Sequence, residues 1–180
     1  MILEKEDSVL VLIDFQEKLM PSIKANEELE KTVIKLIKGC GVFKIPVIMT
    51  QQYTKGLGET VAAIRETAGE LKPVEKTAFS CMGEPAFIQE LEKTGKKSVI
   101  IAGIEAHICV QQTVLDLLQS GYKAYIVYDC IGSRSNQDKK YASRRMVESG
   151  AIGTTYESVL FELCKNAKTE GFKEISRLVR

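Results

Sequence analysis

Ser98-Val99-Ile100-Ile101-Ala102-Gly103 carries no polar side chain after its serine. A strand apolar at successive positions must be covered on both faces, which is the condition of a parallel sheet between helical layers. The flanking segments agree. Downstream, residues 108–120 read as a helix ended by Gly121. Upstream, Pro85 suits the first turn of a helix running to residue 93, with Phe87, Ile88 and Leu91 on one face. Further out, residues 9–13, 46–50, 73–76, 122–128 and 152–155 read as short strands. Between them, residues 26–43 repeat apolar positions at Leu29, Val33, Ile34, Leu36 and Ile37, a helical stripe closing at Gly39 or Gly41. Residues 51–58 read as a polar loop and residues 59–68 as a weak helix. Helices are expected at 138–149, 157–164 and 171–179. No repeat or linker interrupts the alternation, so residues 1–180 are expected to form a single three-layer α/β/α domain.

Composition narrows the function. The chain has 180 residues, 44% of them hydrophobic, enough for one core. Its 25 basic and 24 acidic residues leave a net charge of +1, which gives no field to steer nucleic acid or an anionic membrane. No apolar run approaches the ~18 residues of a membrane span, and the first residues lack the order of a signal peptide. The expectation is a soluble, cytoplasmic protein. The five cysteines, Cys40, Cys81, Cys109, Cys130 and Cys164, include no Cys-x-x-Cys pair, and an odd count argues for reduced thiols. A single histidine, His107, removes two-histidine zinc sites and leaves one candidate base for a Ser-His-Asp triad. A dyad with Cys109 fails on spacing, because positions i and i+2 of a helix point to different faces. Neither the Gly-x-Gly-x-x-Gly fingerprint nor a Walker A pattern is present, so nucleotide binding has no support and no cofactor is expected.

In open α/β sheets, ligands bind beyond the carboxyl ends of the strands. Asp14 ends the first strand, Lys76 ends the third, and Cys109 lies in the first turn of the helix after the fourth. A carboxylate at the end of an apolar strand is costly unless paired, and Lys76 offers the pairing. Cys109 near a helix N-terminus is expected to have a lowered pKa, and the same free N–H groups suit an oxyanion. Each residue also has a plainer reading: Asp14 as a cap, Lys76 as a solvated cation, Cys109 as a core thiol. The three together at one sheet edge favour a site. Elsewhere, Phe15, Tyr53 and Phe79 are pocket candidates, with core packing the default for the two phenylalanines. His107 is expected at the pocket rim. Asp129 is expected to cap, with residues 130–133 as a turn. Arg134, Lys139, Lys140, Arg144 and Arg145 read as a solvated or interface face.

Three runs carry a resemblance: Val11-Leu12-Ile13-Asp14-Phe15-Gln16, Lys76-Thr77-Ala78-Phe79-Ser80, and Gly103-Ile104-Glu105-Ala106-His107-Ile108-Cys109-Val110. In this order and spacing they resemble the signatures of the isochorismatase-like cysteine hydrolases. Ser133-Arg134-Ser135 and Phe172-Lys173-Glu174-Ile175 are similar to the isochorismatase domain-containing subgroup. The resemblance implies a six-stranded parallel sheet and an Asp14-Lys76-Cys109 triad that cleaves a small amide through a thioester. It also implies a cis peptide at Ile104-Glu105, with the N–H groups of Glu105 and Cys109 as the oxyanion hole. Phe15, Gln16, Tyr53, Phe79, Ile104 and His107 would line the substrate pocket. Two departures refine this. Gln51-Gln52-Tyr53-Thr54 stands where the nicotinamidase branch has metal-binding Asp-x-His, which argues for a metal-independent reaction. Cys109 stands where isochorismatase itself lacks the nucleophile, which argues against isochorismate. The resemblance also implies a homo-oligomer; the last helix would either supply a contact or pack on its own sheet. The competing reading is a ligand-binding or oligomeric scaffold. Redox sensing by Cys109 lacks a resolving cysteine close in sequence.

Overall fold

The computed structural model describes residues 2–180. Six strands form one sheet: β1 (Ser8–Ile13), β2 (Val47–Gln52), β3 (Val74–Lys76), β4 (Ser98–Ile104), β5 (Lys123–Gly132) and β6 (Ile152–Thr154). Every pairing is parallel and the order is β3-β2-β1-β4-β5-β6. From β1 the chain steps outward through β2 and β3, then returns to the other flank of β1 with β4. That reversal falls between β1 and β4, and α/β sheets bind ligands at the carboxyl ends of the strands at such a point.

The helices are α1 (Asn26–Val42), α2 (Thr54–Leu57), α3 (Ala62–Ala68), α4 (Pro85–Thr94), α5 (Gln111–Gln119), α6 (Asn136–Glu148), α7 (Tyr156–Cys164) and α8 (Phe172–Leu178). They divide the core in two. Leu10 and Leu12 of β1 join Leu29, Val33 and Leu36 of α1, Leu160 of α7 and Ile175 of α8 on one face. Val9, Val11 and Ile13 join Phe87 of α4, Val114 of α5 and Met146 of α6 on the other. Successive strand residues thus feed opposite layers, which is why β1 and β4 are buried at every position. Among the described residues no helix is long and apolar enough to cross a membrane.

Several expectations are corrected. The first helix does not close at Gly39 or Gly41 but runs through both to Val42. Gly39 is there for packing, since a Cβ on it would lie 2.4 Å from the Leu160 side chain. The polar loop at 51–58 holds the end of β2 and the short α2. Residues 130–133 are not a turn, because β5 continues to Gly132 through a bulge opposite Ile101 and Gly103. Asp129 is half-buried, and its Oδ1 accepts the Tyr156 N–H at the first residue of α7, whose N-cap is Thr155. The last helix packs on its own body through Ile175.

Candidate active site

Asp14 directly follows β1 in a left-handed conformation, φ 54°, a region that aspartate enters more readily than most residues. Its Oδ1 accepts the Thr50 hydroxyl at 2.8 Å. Lys76, at the end of the edge strand β3, reaches across β2, and its Nζ stands 2.8 Å from Asp14 Oδ2. Both side chains are 0% exposed. The lysine is therefore not the solvated cation of the plainer reading. Its three N–H groups have acceptors in Gln52 Oε1 at 2.5 Å and the carbonyls of Ala78 and Phe79, each at 3.1 Å. Asp14 Oδ2 is thus a fourth oxygen around the same ammonium.

Cys109 rides on a π-helical turn, Ala106–Val110, between β4 and α5. The Glu105 carbonyl takes the N–H groups of Ile108 and Val110 but not that of Cys109. The Ile104–Glu105 peptide bond is cis. Thr113 Oγ1 accepts the Cys81 N–H at 2.9 Å and donates to the Cys109 carbonyl at 2.7 Å. That one hydroxyl joins the loop after Lys76 to the turn that carries Cys109. On the other flank, Glu105 Oε2 accepts the Arg134 N–H at 3.0 Å, and His107 Nδ1 lies 3.0 Å from Ser133 Oγ.

The electrostatics overturn one expectation. Cys109 is not an acidified thiol, for its pKa is pushed up to about 12. Burial is the largest cause and the Asp14 carboxylate the second, while Lys76 pulls the other way. The pull of a helix N-terminus does not offset a desolvated site that already holds a negative charge. Cys81 is driven up to about 11, again first by burial and then by Asp14. Burial alone would lower the Lys76 pKa; the charge of Asp14, then those of Cys109 and Cys81, lift it above its ordinary value. A protonated thiol beside a charged carboxylate–ammonium pair is suited to giving up its proton only as it forms a bond to carbon.

The pocket candidates divide. Phe15 and Ile104 are core residues. Gln16 is buried and clamps the end of β2, donating to Gln52 O and Gly58 O and accepting the Gln52 N–H. Tyr53 and Phe79 follow Gln52 and lie three residues past Lys76, and stand 53% and 55% exposed. Core packing as the default for Phe79 is thus wrong, whereas it holds for Phe15. His107 is half-buried on the π-helical turn that carries Cys109. Sequence reading missed Thr50, Gln52, Cys81 and Thr113. Thr50 left a signal, a hydroxyl closing the apolar run 47–49 of a buried strand. The others left none. Among the described residues no group of three His, Cys, Asp or Glu side chains is placed to hold a metal ion.

Residues 8–158 match the family model described as Isochorismatase domain. The chain is 40% identical over 177 residues to Isochorismatase domain-containing protein 2 of Danio rerio, covering 98% of this chain and 89% of that one. Among solved structures it is similar to one described as MAR1 ribonuclease from Caenorhabditis elegans. The identity is 38% and the TM-score 0.93, over 99% of this chain and 92% of that one. YcaC from Pseudomonas aeruginosa, solved with covalent acrylamide, is 26% identical with a TM-score of 0.91, over 97% of this chain and 89% of that one.

Proposed function

The chain belongs to the isochorismatase domain family, and from that premise we propose that it is a metal-independent cysteine hydrolase of a small amide. Asp14 accepts the Cys109 proton as Sγ attacks the carbonyl carbon. The N–H groups of Glu105 and Cys109 hold the oxyanion of the tetrahedral intermediate. Asp14 returns the proton to the departing nitrogen, the C–N bond breaks, and a thioester remains. Water, giving a proton to Asp14, then cleaves the thioester; the acid leaves and the proton returns to the thiol. Lys76 holds the negative charge of Asp14 in a site from which solvent is shut out.

One observation carries this reading: the buried Asp14 carboxylate is paired with the Lys76 ammonium at 2.8 Å, beside a thiol that its charge keeps protonated. A carboxylate has about four lone-pair sites, so it can hold the lysine and still take a transferring proton. The covalent acrylamide in the Pseudomonas aeruginosa relative is in keeping with a reactive group in this family. The protein is further proposed to act in the cytoplasm as a homo-oligomer, without nucleic acid or membrane partners.

The test is release of ammonia or amine from a panel of small amides by the wild type and by Cys109→Ala. Release by the wild type and none by the variant is expected. Undiminished release by the variant would overturn the mechanism. Binding without release by either protein would favour a ligand-binding scaffold. Because the Caenorhabditis elegans relative is described as a ribonuclease, an RNA oligonucleotide belongs in the panel; cleavage of RNA with no amide turnover would replace the small-amide reading. The formal charge of +1 favours the small molecule over the polyanion.

A further inference from the structure

We infer that Gln52 is a positioning residue of this reaction, drawing the Lys76 ammonium partly away from Asp14 so that the carboxylate keeps its pull on the Cys109 proton. The inference rests on the proton transfer proposed above. The sheet register sets Gln52 of β2 directly beside Lys76 of β3. An ammonium has three N–H donors. Four oxygens surround the Lys76 nitrogen: Gln52 Oε1 at 2.5 Å, the Ala78 and Phe79 carbonyls at 3.1 Å, and Asp14 Oδ2 at 2.8 Å. Three donors are thus shared among four acceptors, and Gln52 Oε1 competes with the carboxylate.

The two carbonyls belong to the chain just after Lys76 and are tied to it by covalent geometry. Gln52 Oε1 is the one side-chain oxygen among the three uncharged acceptors, and it is held in place. The Gln52 N–H and C=O are both bonded to the Gln16 amide, and its own Nε2 donates to the Thr77 carbonyl. Remove Oε1, and Asp14 Oδ2 no longer shares the ammonium with it. Lysine would then neutralise the carboxylate more fully. The amide is also neutral. A carboxylate at the same place would share the positive charge of Lys76 that Asp14 needs. The ionisable groups acting here come from every packed element: Asp14 after β1, Cys81 and Glu84 after β3, and Cys109 on the π turn.

The experiment reads iodoacetamide modification of Cys109 by peptide mass spectrometry at about pH 8.5. Below the thiol's midpoint the rate follows the thiolate fraction, about tenfold per pKa unit. Gln52→Met leaves Lys76 more fully to Asp14, neutralises the carboxylate better, and is expected to raise the rate severalfold. Gln52→Glu keeps an oxygen on Lys76 but adds negative charge, and is expected to lower the rate about tenfold. A role confined to packing would not give opposite signs. Equal rates, or a shift in the same direction for both, would overturn the inference. If Gln52→Met does not fold, Gln52→Glu alone decides: an unchanged or faster rate overturns it. Asp14→Asn separates the two readings. It should speed alkylation, and if it does not, the Asp14–Cys109 coupling fails whatever Gln52 does. If it does while the Gln52 variants fail to diverge, only the role of Gln52 falls.

Discussion

Lys76 Nζ lies 2.8 Å from Asp14 Oδ2 with both side chains shut off from solvent, and three uncharged oxygens crowd the same ammonium. The lysine thus divides itself between its counter-charge and neutral acceptors. A buried ion pair contributes little net stability by itself, but losing one member leaves an uncompensated charge. Lys76→Met should therefore destabilise the fold by roughly 3–5 kcal/mol, measured by urea denaturation. Because Lys76 is the group that lowers the Cys109 pKa, the same variant should alkylate still more slowly than the wild type. A stable variant with a faster thiol would contradict both parts.

Thr113 makes two buried hydrogen bonds with one hydroxyl, to the Cys81 N–H and the Cys109 carbonyl. Thr113→Val keeps the shape and leaves both backbone groups without that partner, at a cost of roughly 1–3 kcal/mol. Thr113→Ser should restore most of it. Denaturation midpoints of the two variants check this, and equal midpoints would show that the bridge is dispensable.

Gly103 of β4 leaves no room for a side chain against β1. A Cβ there would lie 2.5 Å from the Ile13 Cβ and 2.9 Å from the Ile13 carbonyl oxygen. Backbone cannot swing aside as a side chain can. Gly103→Ala should destabilise by roughly 1–3 kcal/mol and displace Asp14, the next residue after Ile13. Loss of stability together with loss of amide turnover is the expected pair of results.

Stability should fall on the alkaline side. Burial holds the Cys40 and Cys109 pKa values at about 12 and that of Cys81 at about 11, against an ordinary 9.0. Above pH 9 the unfolded chain releases these protons first, so it binds fewer than the folded chain and stability declines with pH. Lys76 acts in the same direction. Its folded pKa is raised above its ordinary 10.5, so the stability it adds is complete below that value and is lost as pH climbs through the raised one. Urea denaturation between about pH 8 and 10.5 should show the decline, and Cys40→Ala should make it shallower. A flat profile would mean that the thiols titrate as if exposed.

Much of the architecture was legible in residues 9–13 and 98–103. Two continuous apolar runs separated by helical periodicity require a sheet covered on both faces, because each strand must bury both sets of side chains. The position of Asp14 at a strand end was readable for the same reason, since β1 stops where its apolar run stops. The bulge in β5 was not. It depends on how residues 127–130 pair with β4, and no local pattern records that register. Cys81 shows the limit more sharply. No cysteine is close to Cys109 in sequence, but the fold brings this one beside the same carboxylate and ammonium.

The amino-acid sequence by itself determined which strands lie in the interior, which residue types stand at their ends, and which chemistries the single histidine and the unpaired cysteines leave open. Tertiary structure alone decided the state of those residues. The burial of Lys76, the raised thiol of Cys109 and the pairing of Asp14 with that lysine depend on distances among four segments far apart in the chain. Desolvation and hydrogen-bond alignment arise only once those segments have packed.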